Sequence, residues 1–169
     1  MDGHELDSLM KKVAEGDNAC FERLYRETAK GVYAFAFSYL GERESAEDVM
    51  QTAFLQVKRR AYTYRGGNAR AWLLQIVKNL CIDELRRRKR FRCEPEDAMS
   101  ETPARENGSA LDYLLGALTE EEREIVVLHV FWGYRHREIA ERLSLPLGTV
   151  TWKYSAALKK LEKYEEEQG

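Results

Sequence analysis

The sequence predicts an all-α protein made of two small helical domains joined by a flexible linker, on three observations. In the stretch Arg70–Arg92, RAWLLQIVKNLCIDELRRRKRFR, the apolar residues Trp72, Leu73, Ile76, Val77, Leu80, Cys81 and Leu85 recur at i, i+1, i+4, i+5, i+8 and i+9. That period is helical and excludes a half-buried strand. Similar spacing runs through most of the remaining chain, punctuated by glycine and by cap-forming Asp, Ser and Thr. Between Cys93 and Ser109 the periodicity stops, and CEPEDAMSETPARENGS carries Pro95, Pro103, Gly108 and an acidic excess. That is the composition of a linker poorly ordered when free. It divides the chain into domains at 1–92 and 110–169.

Leu6, Leu9, Met10 and Val13 mark a short first helix that stops at Gly16. Asp17 is a good N-cap for the second. There Phe21, Leu24, Tyr25, Val32, Phe35, Ala36, Tyr39 and Leu40 keep register to Gly41, although Gly31 stands inside. Ser45-Ala46-Glu47-Asp48 is expected to open the third helix with a box-like Ser…Asp cap. Its stripe of Ala46, Val49, Met50, Ala53, Phe54 and Val57 is buried, with Glu47, Asp48, Gln51, Thr52 and Leu55 on or beside the exposed side. The Tyr62–Asn68 segment, YTYRGGN, is a loop. Two tyrosines and an arginine beside glycines suit an unpaired base, and an ordinary helix connection has the same composition.

In the fourth helix Gln75, Lys78, Asn79, Arg86 and Lys89 lie opposite the apolar side, and the segment runs out into Arg86–Arg90. A cationic, amide-bearing outer face suits a polyanion tracked by a helix. A solvated helix with a basic last turn, favoured by the helix dipole, accounts for the same residues.

In the second domain Leu111, Leu114, Leu115 and Leu118 begin a helix, and Thr119 with Glu122 caps another carrying Ile125, Leu128 and Phe131 to Gly133. Arg137–Leu143, a short turn at Ser144-Leu145, and a helix opened by Pro146 that runs to about Glu165 read as a helix-turn-helix. An αα-hairpin in a bundle is the alternative. In its second helix Val150, Tyr154, Ala157, Leu158 and Leu161 are assigned to the core, and Gly148, Thr149, Trp152, Ser155 and Lys159 point away.

At 44% hydrophobic the chain can bury a real core, and a formal net charge of −2 means that nucleic-acid binding must come from patches such as Arg86–Arg92. Cys20, Cys81 and Cys93 have no CxxC spacing, and His4, His129 and His136 form no ligand pattern. No zinc site, reduced thiols, no signal peptide and no membrane span are therefore expected.

Ala46-Glu47-Asp48-Val49-Met50-Gln51, then Phe54-Leu55, Ala71–Asn79, Asp83 and Arg86-Arg87 resemble region two of the bacterial sigma-70-family sigma factors. Arg137–Leu143 and Pro146–Val150 resemble their region four, and two regions plus a linker are the arrangement of the extracytoplasmic-function (ECF) subgroup. The resemblance implies an initiation factor, not an enzyme, with neither cofactor nor metal. It implies that Glu47, Asp48, Gln51, Thr52, Phe54 and Leu55 dock on the β′ coiled coil of bacterial core RNA polymerase, and that the second domain meets the β flap. Tyr62, Tyr64, Arg65, Asn68, Trp72, Gln75, Lys78 and Asn79 would hold the melted minus-ten element of promoter DNA, with Arg86, Arg87, Lys89 and Arg90 on backbone phosphates. Arg137, Gly148, Thr149, Thr151, Trp152, Lys153, Ser155 and Lys159 would read the minus-thirty-five duplex. The linker would thread polymerase along the path of nascent RNA. A cognate anti-sigma factor is also implied, with a cytoplasmic location or tethering to the membrane through that partner.

Two departures matter. Thr52 stands where the family usually has an acid, and Thr151-Trp152-Lys153, then Ser155 and Ala156, replace a more basic recognition helix. Fewer cations neutralise fewer phosphates, so weak autonomous duplex binding is expected. The rival readings are a helix-turn-helix regulator and a sigma-like interaction protein that does not initiate. A nucleic-acid enzyme lacks a carboxylate or metal-ligand constellation.

Overall fold

The computed structural model describes residues 1–92 and 108–169, so the linker expectations for 93–107 lie outside the described residues. Among these, the α-helices run in the order α1 (Gly3–Ala14), α2 (Asn18–Leu40), α3 (Arg43–Arg60), α4 (Ala69–Phe91), α5 (Ala110–Gly116), α6 (Glu120–Val130), α7 (His136–Leu143) and α8 (Leu147–Gln168), with a 3₁₀ turn at Ala61–Thr63.

Local chemistry sets most of the ends. Asp17 accepts the Cys20 N–H at 3.0 Å to start α2, and Gly41, at φ 66°, ends it in the left-handed conformation that costs glycine least. Ser109 with Asp112 and Thr119 with Glu122 form complete capping boxes. The expected cap at Ser45 does not form. α3 begins at Arg43 behind Glu42, which makes no side-chain cap bond. Ser45 instead donates its hydroxyl to Glu42 at 2.9 Å and accepts from Arg88 at 2.6 Å.

α1 to α4 enclose a core of Leu6, Met10, Leu24, Val32, Phe35, Val57, Leu73 and Val77, all nearly or fully removed from water. Each such side chain contributes on the order of 1.5–3 kcal/mol. α6, α7 and α8 close around Ile125, Leu128, Ile139 and Val150. Leu158 and Leu85, both assigned to buried faces from spacing, are 38% and 37% exposed.

The two domains pack against each other, and α2 is the element they share. The Trp132 indole lies on the bare backbone of Gly31 and donates its N–H to the Gly31 carbonyl at 3.1 Å. Tyr39 donates to Glu124 at 2.6 Å, Tyr33 donates to Asp112, and the Arg123 guanidinium lies 5.9 Å from the Phe37 ring centre. Arg70 donates to the Trp132 carbonyl at 2.6 Å and covers the Tyr134 ring. Glycine inside α2 costs about 1 kcal/mol relative to alanine, and the docked indole explains its presence, since a Cβ there would lie 3.3 Å from the ring. Gly31→Leu is expected to wedge the domains apart. Solution scattering should then give a radius of gyration well above the roughly 15 Å of a compact chain this long, with helical circular dichroism unchanged.

Candidate nucleic-acid and polymerase interface

On α3, Asp48, Gln51, Thr52 and Leu55 are exposed, and the half-buried Glu47 is held by Arg43 at 2.9 Å. Leu55 is 58% exposed, an isolated large apolar side chain on a polar face. Phe54, expected beside it as a contact, is instead 4% exposed and meets the Tyr25 ring edge-on at 4.7 Å. Consecutive helical residues differ by about 100°, so the boundary of the buried stripe falls between the two.

The loop before α4 is shaped by Gly66 and Gly67, at φ 90° and 104°, a conformation that side chains resist. Tyr62 is 70% exposed, Arg65 is exposed, and Asn68 spends its side chain capping Ala71 at 3.0 Å. Tyr64, expected as a base-stacking surface, is buried. It donates to Asp7 of α1 and meets the half-buried Trp72 edge-on at 5.6 Å. It therefore shapes the loop rather than offering a free ring.

Along α4, Gln75 donates to Asn79 at 2.8 Å on the exposed face, with Lys78 half-buried beside them. Arg86, Lys89 and Arg90 are exposed. Arg87 is tied to Glu84 at 2.9 Å, and the guanidinium holds that carboxyl below the usual carboxylate range. Within the basic run, Arg88 turns inward to the Leu40 carbonyl at 3.1 Å and to Glu42 at 2.9 Å. It stands seven residues after buried Cys81, and that spacing was a signal readable in the sequence.

The helix-turn-helix is α7, a turn with Ser144 left-handed at φ 55°, and α8. Arg137, Gly148, Thr151, Ser155 and Lys159 are exposed, Trp152 is 69% exposed, and Thr149 is half-buried. Lys153 is paired with Glu121 of α6, so its charge is already engaged. Under this face, the His129 and His136 rings lie 4.8 Å apart and both meet Tyr154. Burial pushes the His136 imidazole below its ordinary value, neighbouring His129 adds to the shift, and its Nε2 is enclosed without a partner. The fold therefore prefers the neutral ring. Stability should be full above about pH 6.5 and fall on acidification below it, where the unfolded chain takes up a proton the fold resists. Thermal melts at pH 7.5 and 5.5 check this, and His136→Gln should narrow the difference.

Residues 24–91 match the family model for Sigma-70 region 2, and residues 109–161 match that for Sigma-70, region 4. The chain is 34% identical over 166 residues to the ECF RNA polymerase sigma factor SigE of Mycolicibacterium smegmatis. The chain belongs to the ECF sigma factors of the sigma-70 family. The SigE alignment covers 89% of this sigma factor but 65% of that relative's length. SigK of Mycobacterium sp. strain KMS is 27% identical over 168 residues, covering 86% of this chain and 83% of that protein. Among solved structures, sigma factor RpoE in complex with the anti-sigma factor NepR, from Bartonella quintana, superposes with a TM-score of 0.61 at 22% identity. It covers 86% of this chain and 96% of that one, which establishes likeness of fold. Sigma factors initiate transcription without being enzymes.

Proposed function

We propose that this sigma factor binds bacterial core RNA polymerase and directs it to promoter DNA, with α3 docking on the β′ coiled coil and α8 presented to the minus-thirty-five duplex. The observation that carries this reading is the pairing, within one domain, of two separate exposed faces. One is the Leu55 face of α3, with Asp48, Gln51 and Thr52, and the other is the Gln75–Asn79 face of α4, running into Arg86 and Arg90. The first offers an apolar anchor in a polar ring, as protein interfaces require. The second offers amides for bases and cations for phosphates. Melting costs a few kcal/mol per unstacked base, and strand capture on the loop and α4 offsets it by roughly 1–3 kcal/mol per stacked base. No described helix is long and apolar enough to cross a membrane. The factor acts in the cytoplasm, and a cognate anti-sigma factor restrains it, at the membrane where that partner is anchored there.

Reconstituted transcription with core polymerase and genomic promoter fragments tests this. Run-off RNA that depends on the protein, and is lost in a folded Asn79→Ala variant, supports initiation. Binding to core without transcripts favours an interaction protein, and tight duplex binding without core affinity favours an ordinary regulator.

A further inference from the structure

We infer that α1 is part of the single-strand site, with Lys11 a phosphate-binding residue and Tyr64, anchored on Asp7, a positioning residue for the loop. The inference rests on the proposed role of the Tyr62–Asn68 loop. α1 lies outside the residues that match region 2, so family membership assigns it nothing. It nevertheless touches the loop at two places. One carboxylate, Asp7, accepts the Tyr64 hydroxyl on one oxygen and the Lys11 ammonium on the other at 3.0 Å. Lys11 then runs alongside Gly66, where a Cβ would lie 3.2 Å from its Cε, so the glycine leaves the room that the lysine stem fills.

The consequence is a cation held at the glycine turn, next to exposed Arg65 and Tyr62. The Lys11 side chain is 59% exposed, so water screens its pairing with Asp7 and leaves the ammonium accessible. An arriving phosphate competes on favourable terms. At Gly67 no neighbouring atom would touch an added Cβ, so the backbone there is open to close approach by a strand. Tyr64 has no exposed ring to offer, but its hydroxyl fixes the loop to α1 and its ring edge fixes it to Trp72.

The test is fluorescence anisotropy of the full chain with a 5′-fluorescein thymidine 12-mer over a series of salt concentrations. Lys11→Gln should weaken binding several-fold and lower the slope of log K against log salt by about 0.7, the amount for one phosphate on a single strand. Lys11→Arg should restore both, which a purely structural role would not require. Tyr64→Phe should weaken binding with the slope unchanged, because it loosens the loop without removing a charge. A wild-type slope in Lys11→Gln overturns the Lys11 assignment, and unaltered affinity in Tyr64→Phe overturns the positioning role. No binding by the wild-type chain at 20 mM salt, on the order of the low-salt conditions that favour phosphate contacts, overturns both. Protein-dependent run-off RNA in that case would leave the initiation reading standing, so the two failures are distinguishable.

Discussion

Leu55→Asp is expected to lower affinity for core RNA polymerase by about 30- to 1,000-fold while leaving the protein folded. The side chain is 58% exposed, so little native packing is lost. Its neighbours Asp48, Gln51 and Thr52 form a polar rim around one apolar anchor. Truncating an anchor of this kind typically costs on the order of 2–4 kcal/mol, and a buried, unpaired carboxylate adds to that. Surface plasmon resonance with immobilised core measures the loss, and near-identical urea midpoints for variant and wild type show that it is not unfolding. Affinity within threefold of wild type would remove α3 from the docking surface. Phe54→Leu makes the complementary comparison: it should cost stability through the lost contact with Tyr25 and change core affinity little.

Phe35→Ala is the substitution expected to affect stability most. Phe35 is fully buried in α2, with its ring edge against Tyr39 at 5.2 Å, and Tyr39 in turn donates to Glu124 of α6. The loss combines apolar transfer with an unfilled cavity, about 3–5 kcal/mol. That is a large part of the 5–15 kcal/mol typical of a whole domain. Equilibrium urea unfolding should show the midpoint displaced in both domains, because α2 serves both. A loss below about 1 kcal/mol would mean that the site collapses around the smaller side chain.

Helix positions, most caps and the helix-turn-helix were legible in the sequence because they depend on neighbours within four residues. Asp17, Thr119 with Glu122, and the turn before Pro146 are of this kind. What was not legible depends on partners far along the chain. Gly31 looked like a blemish in a helix until Trp132, 101 residues away, was found seated on it. Tyr64 looked like a stacking surface because its partner Asp7 lies 57 residues upstream. Lys153 looked available for DNA because nothing local announces Glu121. Spacing did separate Phe54 from Leu55, one in the buried stripe and one outside it; it was the resemblance that counted Phe54 among the docking residues.

The seating of Trp132 on Gly31 carries a thermodynamic consequence. On the proposed reading, the two domains meet two promoter elements that lie apart along the duplex. Domains joined by a 3.1 Å hydrogen bond between α2 and the α6–α7 corner would have to part to reach both. On that reading the free energy of the contact is subtracted from each assembly that needs the domains apart. Any molecule that binds the packed form alone draws the population toward it by mass action. At a concentration one hundred times its dissociation constant it would lower the ratio of parted to packed chains about a hundredfold, without covering any of the residues proposed to meet DNA.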